Sequence, residues 1–421
     1  MIDNPAFGRE TIVVGPTGAD RPGIDNQAIQ LAIDALATRG GGTVRLAEGD
    51  YLLIDSIRVR ADIAMIGEGR ARLVRGPLAS SELAIDADVG QFELTPADAS
   101  AFKPGMGICL WDEAGWAYIN APHTVTAIEG GRVLVGSMFT IDRLAERHAR
   151  AVNYFPLVLA ERAERALIEN LIVDADVADE GELADLRATG VYAFRSRQIT
   201  LRKLTVSNVR GDGILVDTAS VGALVEDCES FGNTHHGLHH GSHSAYQTQR
   251  RCHLHHNGSD GLYICWGIHH SSFEDNDIHH NGHLLWRSGI SVGHKDTDIA
   301  FARNRIYENC KYGICVRLKT EANGAHRGTY RENTIENNGA DPAGMPESVR
   351  KLPARELTSC GVYVNGVTHD LVFERNVIRE TRPAGQDHQR YAVYLGPGVS
   401  KVTFTDNDMD RHPEGAVVDE S

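Results

Sequence analysis

No apolar run in this sequence is long enough to cross a bilayer as a helix, which excludes a helical membrane protein. Cysteine is sparse: seven residues, none in CxxC spacing, so neither a zinc ribbon nor a thioredoxin-type redox motif is present. Cys228 and Cys252 hold equivalent places in adjacent repeats, and buried free thiols are expected there rather than a bridge. Excess positive charge is missing too. The net charge of −15 argues against nucleic acid or an anionic membrane surface as partner, and leaves room only for a local basic groove. The opening residues MIDNPAFGRE lack a charged-then-apolar leader pattern. A cytoplasmic location is therefore expected for the chain as written, and a secreted one if a leader has been removed. Aromatics make up only 6% of the chain.

Glycine, by contrast, is abundant at 43 residues, and its placement is periodic. Gly213, Gly237, Gly261, Gly289 and Gly313 are separated by 24, 24, 28 and 24 residues. Fifteen residues after each of the first four come Cys228, Cys252, Asn276 and Asn304, and twenty after come Asn233, Asn257, Asn281 and Asn309. Three positions locked to one period of this length define a solenoid. One and three residues after each glycine the side chains are mostly aliphatic, as in Ile214/Val216 and Leu262/Ile264. The second position is mixed: Leu215, His239, Tyr263, Ser291 and Cys315. Period-two alternation turns the first and third positions inward and the second and fourth outward. Stacked strands lie about 4.8 Å apart, so equivalent residues touch in columns. The asparagine columns read as structural, each amide satisfying groups of the next coil. His240 is the polar intruder in the inner column, either a satisfied core histidine or a break in register.

Along the chain, residues 26–38 carry Ile29, Ala32, Ile33 and Leu36 at i, i+3, i+4 and i+7, with Asp25 or Asn26 as cap, and predict an amphipathic helix. Strands follow in TVRLAEGDYLL (43–53) and IAMIGEG (63–69). The fold class is all-β, with four parts of one solenoid. They are a cap and first coils (1–90), a β-rich insertion with hairpins (91–154), parallel coils (155–407) and a charged tail (408–421). Residues 339–358 read as a long polar loop. The stretch AIQLAIDALATRGGGTVRLAEGDYLL resembles the opening of the pectate-lyase-like right-handed parallel β-helix proteins, which begin with a capping helix and a GGGTV-type strand. That resemblance implies a right-handed parallel β-helix with an N-terminal capping helix. It does not choose among the lyases, hydrolases, epimerases, transferases and tailspikes that share the fold.

Fourteen of the twenty histidines lie in residues 235–294. The outward face of coils 237–320 combines them with small and charged residues. The fourth position is small at Gly241, Cys265 and Gly293, which would let a sugar approach the backbone. Trp266 offers a flat plate for a sugar ring. His270 falls one coil before Asp298, and that spacing predicts a carboxylate–imidazole pair. The loop GHKDTD (293–298) gathers His294, Lys295, Asp296 and Asp298 near Arg317. Each has a plainer reading: Asp296 and Asp298 as turn residues bonding their own backbone, Lys295 and Arg317 as solvated charges. Asp212 and Asp260, just before marker glycines, also read as turn residues. The pairs His255–His256 and His279–His280 read as an exposed column rather than a metal site, and no metal is expected. The runs GLHHGSHS (237–244), DGLYICW (260–266), GISVGHKDTD (289–298) and GICVR (313–317) are similar to a subgroup of bacterial β-helix proteins. That likeness supports His239, Trp266, His270, His294, Lys295, Asp296, Asp298 and Arg317 as the site.

The catalytic candidates are accordingly Lys295, His294, His270, Asp296, Asp298 and Arg317, with His239, His243, Tyr263, Trp266, Lys319 and Asp217 as substrate-binding candidates. The expected partner is a carbohydrate, with a homotrimer compatible with stacked coils. Three reactions fit. The first is β-elimination or C5 epimerisation of a uronate. Arg317 and Lys319 would neutralise the carboxylate, Lys295 or His294 would act as base, and His270–Asp298 as acid or orienting pair. Lyases of the resembled superfamily often place calcium on acidic residues. The outward face here has no dense acidic cluster, so no cofactor is expected. The second is glycoside hydrolysis or intramolecular transfer by Asp296 and Asp298, with Asp217 or Asp260 as alternatives. The third is glycan binding without catalysis, as in a tailspike.

Overall fold

The structure, a computed structural model, describes residues 7–115, 122–175, 188–353 and 357–421. Among the described residues, three long parallel sheets of thirteen, ten and eleven strands wrap the chain into coils. One coil shows the path. Leu262–Cys265 lies in the eleven-stranded sheet, His269–Glu274 in the thirteen-stranded sheet and Asp277–His279 in the ten-stranded sheet. The chain then returns to the eleven-stranded sheet at Ile290–Val292. These are called the third, first and second sheets below.

The register follows the glycine period. Ile214, Leu238, Leu262, Ile290, Ile314 and Val362 pair in one unbroken row. All six are buried, as are Val216, Ile264, Val292, Val316 and Val364 two residues on. The 28-residue spacing is absorbed outside the strands, in the turn that carries buried Trp286. On the first sheet, Phe273, Phe301, Tyr330, Phe373 and Phe404 stack face to face with centroids 4.6–5.3 Å apart. His240 stays in register between Val216 and Ile264, fully buried, with Nε2 3.3 Å from Gln249 Oε1. It is a core histidine, and burial lowers it to about 3, so it is neutral.

Two polar ladders run through the interior corners. In one, Nδ2 of Asn233, Asn257, Asn281 and Asn309 each donates to Oδ1 of the next asparagine, ending on Asn338 and Gln389. In the other, Asn276, Asn304, Asn333 and Asn376 do the same, ending on Asn407, above Cys228 and Cys252. All seven cysteines are free thiols.

The helix Asn26–Ala37 covers the first coil. Asp25 caps it by accepting from the Ala28 amide, and Ala28, Ile29, Ala32, Ile33 and Leu36 are buried. Its apolar stripe closes an interior that water would otherwise reach. Among its described residues the insertion forms a six-stranded antiparallel sheet with its own apolar core. Its first strand, Ser80–Glu82, lies upstream of residue 91, and its last is Arg150–Val152. Within 339–358 a short helix, Glu347–Arg350, pins Val349 against Trp286 and Cys310. The charged tail is not wholly outside the fold: Val417–Asp419 adds a final strand to the third sheet.

Candidate active site

The outward face of the third sheet carries a cluster of buried polar side chains around Asp212, a residue the sequence places in a turn. Asp212 is fully buried. Its Oδ2 lies 2.8 Å from His239 Nδ1, and its Oδ1 lies 3.0 Å from His235 Nδ1 and accepts from the His236 amide. Burial opposes its ionisation. The His236 and His239 imidazoles and the hydrogen bonds from His235 and His239 outweigh burial and hold it well below the usual carboxylate range. An ionised carboxylate only accepts, so Nδ1 of His239 carries the proton and Nε2 is left as the basic atom. Nε2 sits over Gly241. A Cβ there would lie 2.9 Å from it and 2.7 Å from Asp217 Oδ1. Glycine at 241 therefore leaves room for the imidazole.

Tyr263, one coil on, meets His239 edge-on at 4.9 Å and stacks on His236 at 4.1 Å. Arg317 reaches back two coils and lays its guanidinium 4.4 Å over the Tyr263 ring. It donates to Ser291 Oγ at 2.9 Å and to the carbonyls of Ile264 and Gly293 at 2.7 and 3.0 Å. A Cβ at Gly293 would lie 3.1 Å from Arg317 Nε. At that coil the small column makes room for Arg317, not for a sugar against the backbone. Burial pushes the Tyr263 phenol above its ordinary value, so it stays protonated at neutral pH.

Cys265 is more than a small residue of the fourth column. Its buried Sγ lies 3.1 Å from His294 Nδ1, and burial raises the thiol to about 11. Burial, with Lys319 and Arg317 nearby, lowers His294 to about 4, so both groups are neutral near pH 7. The His294 ring stacks on Trp266 at 4.9 Å, and Trp266 is 55% exposed at the rim. Half-buried Lys319 shares the field of Arg317, and burial lowers its pKa. Beside Arg317 opens a cleft of about 840 Å³, lined by Tyr312, Tyr363 and Tyr394 among others. These three rings stack at 4.5 and 5.1 Å.

Other candidates lie elsewhere or are committed. Asp296 is buried, and three backbone amides, of Gly267, Ile268 and Gly293, donate to it. Burial nevertheless pushes its carboxyl up to about 7. Asp298 does not pair with His270. Arg327, one coil further, holds both its oxygens at 2.7 and 2.8 Å and brings it down to about 2. His270 is in register with Asp298, but its Nδ1 faces His269 Nδ1 at 2.9 Å. Tyr246, His270, Asp298 and Arg327 form one corner where every residue has positive φ, 52–57°. Asp296 and Asp298 thus form no open carboxylate pair. Asp217 is buried and accepts from the Thr218 amide, as a turn residue. His243 is exposed, and its backbone amide donates to the Trp266 carbonyl. Lys295 is exposed, with its amide bonded to the Asn323 carbonyl. The histidine pairs stack as a column on the second sheet, apart from this face: His255–His279 at 5.2 Å and His256–His280 at 4.9 Å.

Residues 189–345 match a family model described as the right handed beta helix region. The chain is thus a right-handed parallel β-helix, the architecture implied by its resemblance to the pectate-lyase-like proteins. The A-module of mannuronan C-5 epimerase AlgE4 from Azotobacter vinelandii superposes with TM-score 0.60 at 13% identity, covering 93% of each chain. A glycoside hydrolase superposes with TM-score 0.57 at 11% identity, covering 95% of this chain and 97% of that one. The Dettilon tailspike protein gives TM-score 0.56 at 12% identity over 96% of this chain and 68% of the tailspike. At these identities the likeness is one of fold. No curated protein matches the sequence.

Proposed function

We propose that the protein acts on a uronate-containing glycan lying along the third sheet, removing the proton α to the sugar carboxylate. The observation that carries this reading is the Asp212–His239 pair at 2.8 Å, set beside a tyrosine covered by an arginine. His239 Nε2 takes the C5 proton, with Asp212 fixing the tautomer and stabilising the imidazolium. Arg317 and Lys319 supply positive charge for the carboxylate as negative charge grows on it. Tyr263, kept protonated by burial, is the proton donor. Protonating the C4 leaving oxygen completes β-elimination, and protonating C5 from the opposite face completes epimerisation. The AlgE4 A-module is named for the second of these outcomes. The bases expected from sequence give way here to His239: His294 is too weak a base at about 4, and Lys295 is exposed. Hydrolysis by paired aspartates has less support, because Asp296 is buried behind three amides and Asp298 is held by Arg327.

The test uses pectate, alginate and glucuronan in D2O. Either an ultraviolet-absorbing unsaturated product or deuterium at C5 is expected, and His239→Ala abolishes both. Neither signal on any of the three polymers would sink the proposal.

A further inference from the structure

We propose that the outer face of the second sheet binds one divalent transition-metal ion of the Zn2+ class through Glu229, His253 and His255. The inference is independent of the reaction assigned above. Parallel register builds the site. Glu229 pairs with His253, and His255 follows two residues on, so all three side chains leave the same face of two successive coils. Glu229 Oε1 lies 3.5 Å from His253 Nδ1 and 3.2 Å from His255 Nε2. The three ligand atoms all fall within 4.8 Å of one another. Metal–ligand bonds of about 2.0–2.2 Å at tetrahedral angles put ligand atoms about 3.3–3.6 Å apart, so both measured spacings fit to about 0.1 Å.

The remaining ring nitrogens support the same assignment. A ligating histidine ordinarily gives its other ring nitrogen to an outer partner, which fixes its orientation. His253 turns Nε2 to His279 Nε2 at 2.8 Å, and His255 turns Nδ1 to His256 Nδ1 at 2.9 Å. Each therefore keeps one edge for the ion and one for its support. Stacking against Phe231 at 4.9 Å, nearly parallel, holds the His255 plane. Two imidazoles and a carboxylate favour zinc, nickel, cobalt or copper over calcium, which takes oxygen ligands. The His253 and Glu229 side chains are 41% and 40% exposed, leaving a fourth position open to water. Bound there, the ion would staple two coils together on a sheet remote from the reacting face.

The full chain is stripped with chelator, then titrated with ZnCl2 by calorimetry and by dialysis with elemental analysis. Wild type is expected to take up about one ion per chain more than His253→Gln, and Glu229→Gln to bind about tenfold or more weakly. His326→Gln, altering a separate Glu321–His326–His369 cluster, keeps the ion. Co2+ added to wild type should give the visible bands of a tetrahedral site, a readout needing no variant. His253 also neighbours Asp277 and His279, so Glu229→Gln distinguishes the two sites. Equal zinc uptake by wild type and His253→Gln, unchanged affinity in Glu229→Gln, or uptake without the cobalt bands overturns the proposal.

Discussion

Asp212 and Asp296 are both buried carboxylates on turns of the third sheet, yet burial wins at one and not at the other. Among the described residues Asp296 accepts from backbone amides alone, and burial outweighs them and pushes its carboxyl up to about 7. Asp212 has imidazoles for partners, and these keep it ionised. That difference makes Asp212 the positioning residue for His239. Replacing it with Asn keeps the shape but lets the ring bond through the wrong tautomer. Asp212→Asn should therefore lower kcat about 10²–10⁴-fold with KM little changed. Steady-state kinetics across pH on the responsive polymer would check this; a change in KM alone would mean that Asp212 only shapes the groove. None of this was legible locally. Asp212 precedes His239 by 27 residues, one coil plus a turn, and the pair exists only because parallel strands stack.

At the scale of the coil, stability rests on ladders whose members satisfy one another. Asn281 accepts from Asn257 Nδ2 and from the Asn257 amide. It donates to Asn309 and to the carbonyls of Leu254 and His279. Truncating it strands several buried groups at once. Asn281→Ala should cost about 3 kcal/mol or more by urea unfolding. The exposed Asp298–Arg327 corner pair behaves differently. It lies in solvent, and Asp298→Asn should cost below about 1 kcal/mol. Comparable losses in the two variants would contradict this account of the corners. The asparagine columns were legible from period alone, because a buried amide needs a partner at a fixed rise. The Asp298–Arg327 pair was not, and spacing pointed to His270 instead. Register placed the two residues side by side, but Arg327 of the next coil offers a planar fork that fills both carboxylate oxygens.

For the whole molecule, the weak points of a solenoid are its ends. The helix Asn26–Ala37 covers the first, with Ile33 fully buried against the coil interior. Ile33→Asp puts a charge into that seal and should cost about 4 kcal/mol or more, lowering the urea midpoint and promoting association of the opened end. Unchanged unfolding and a monomeric elution profile would show that the helix is dispensable. The sequence by itself determined the coil: period, inner columns, asparagine ladders and capping helix. Each of these is a one-dimensional pattern that a fixed rise per coil converts directly into contact. Only the tertiary structure decided which outward residues act together. Arg317 crosses two coils to reach Tyr263, Asp212 reaches up to His239, and Glu229 meets His253 and His255. Those meetings depend on how far and in which direction a side chain leaves its strand, which the repeat does not encode.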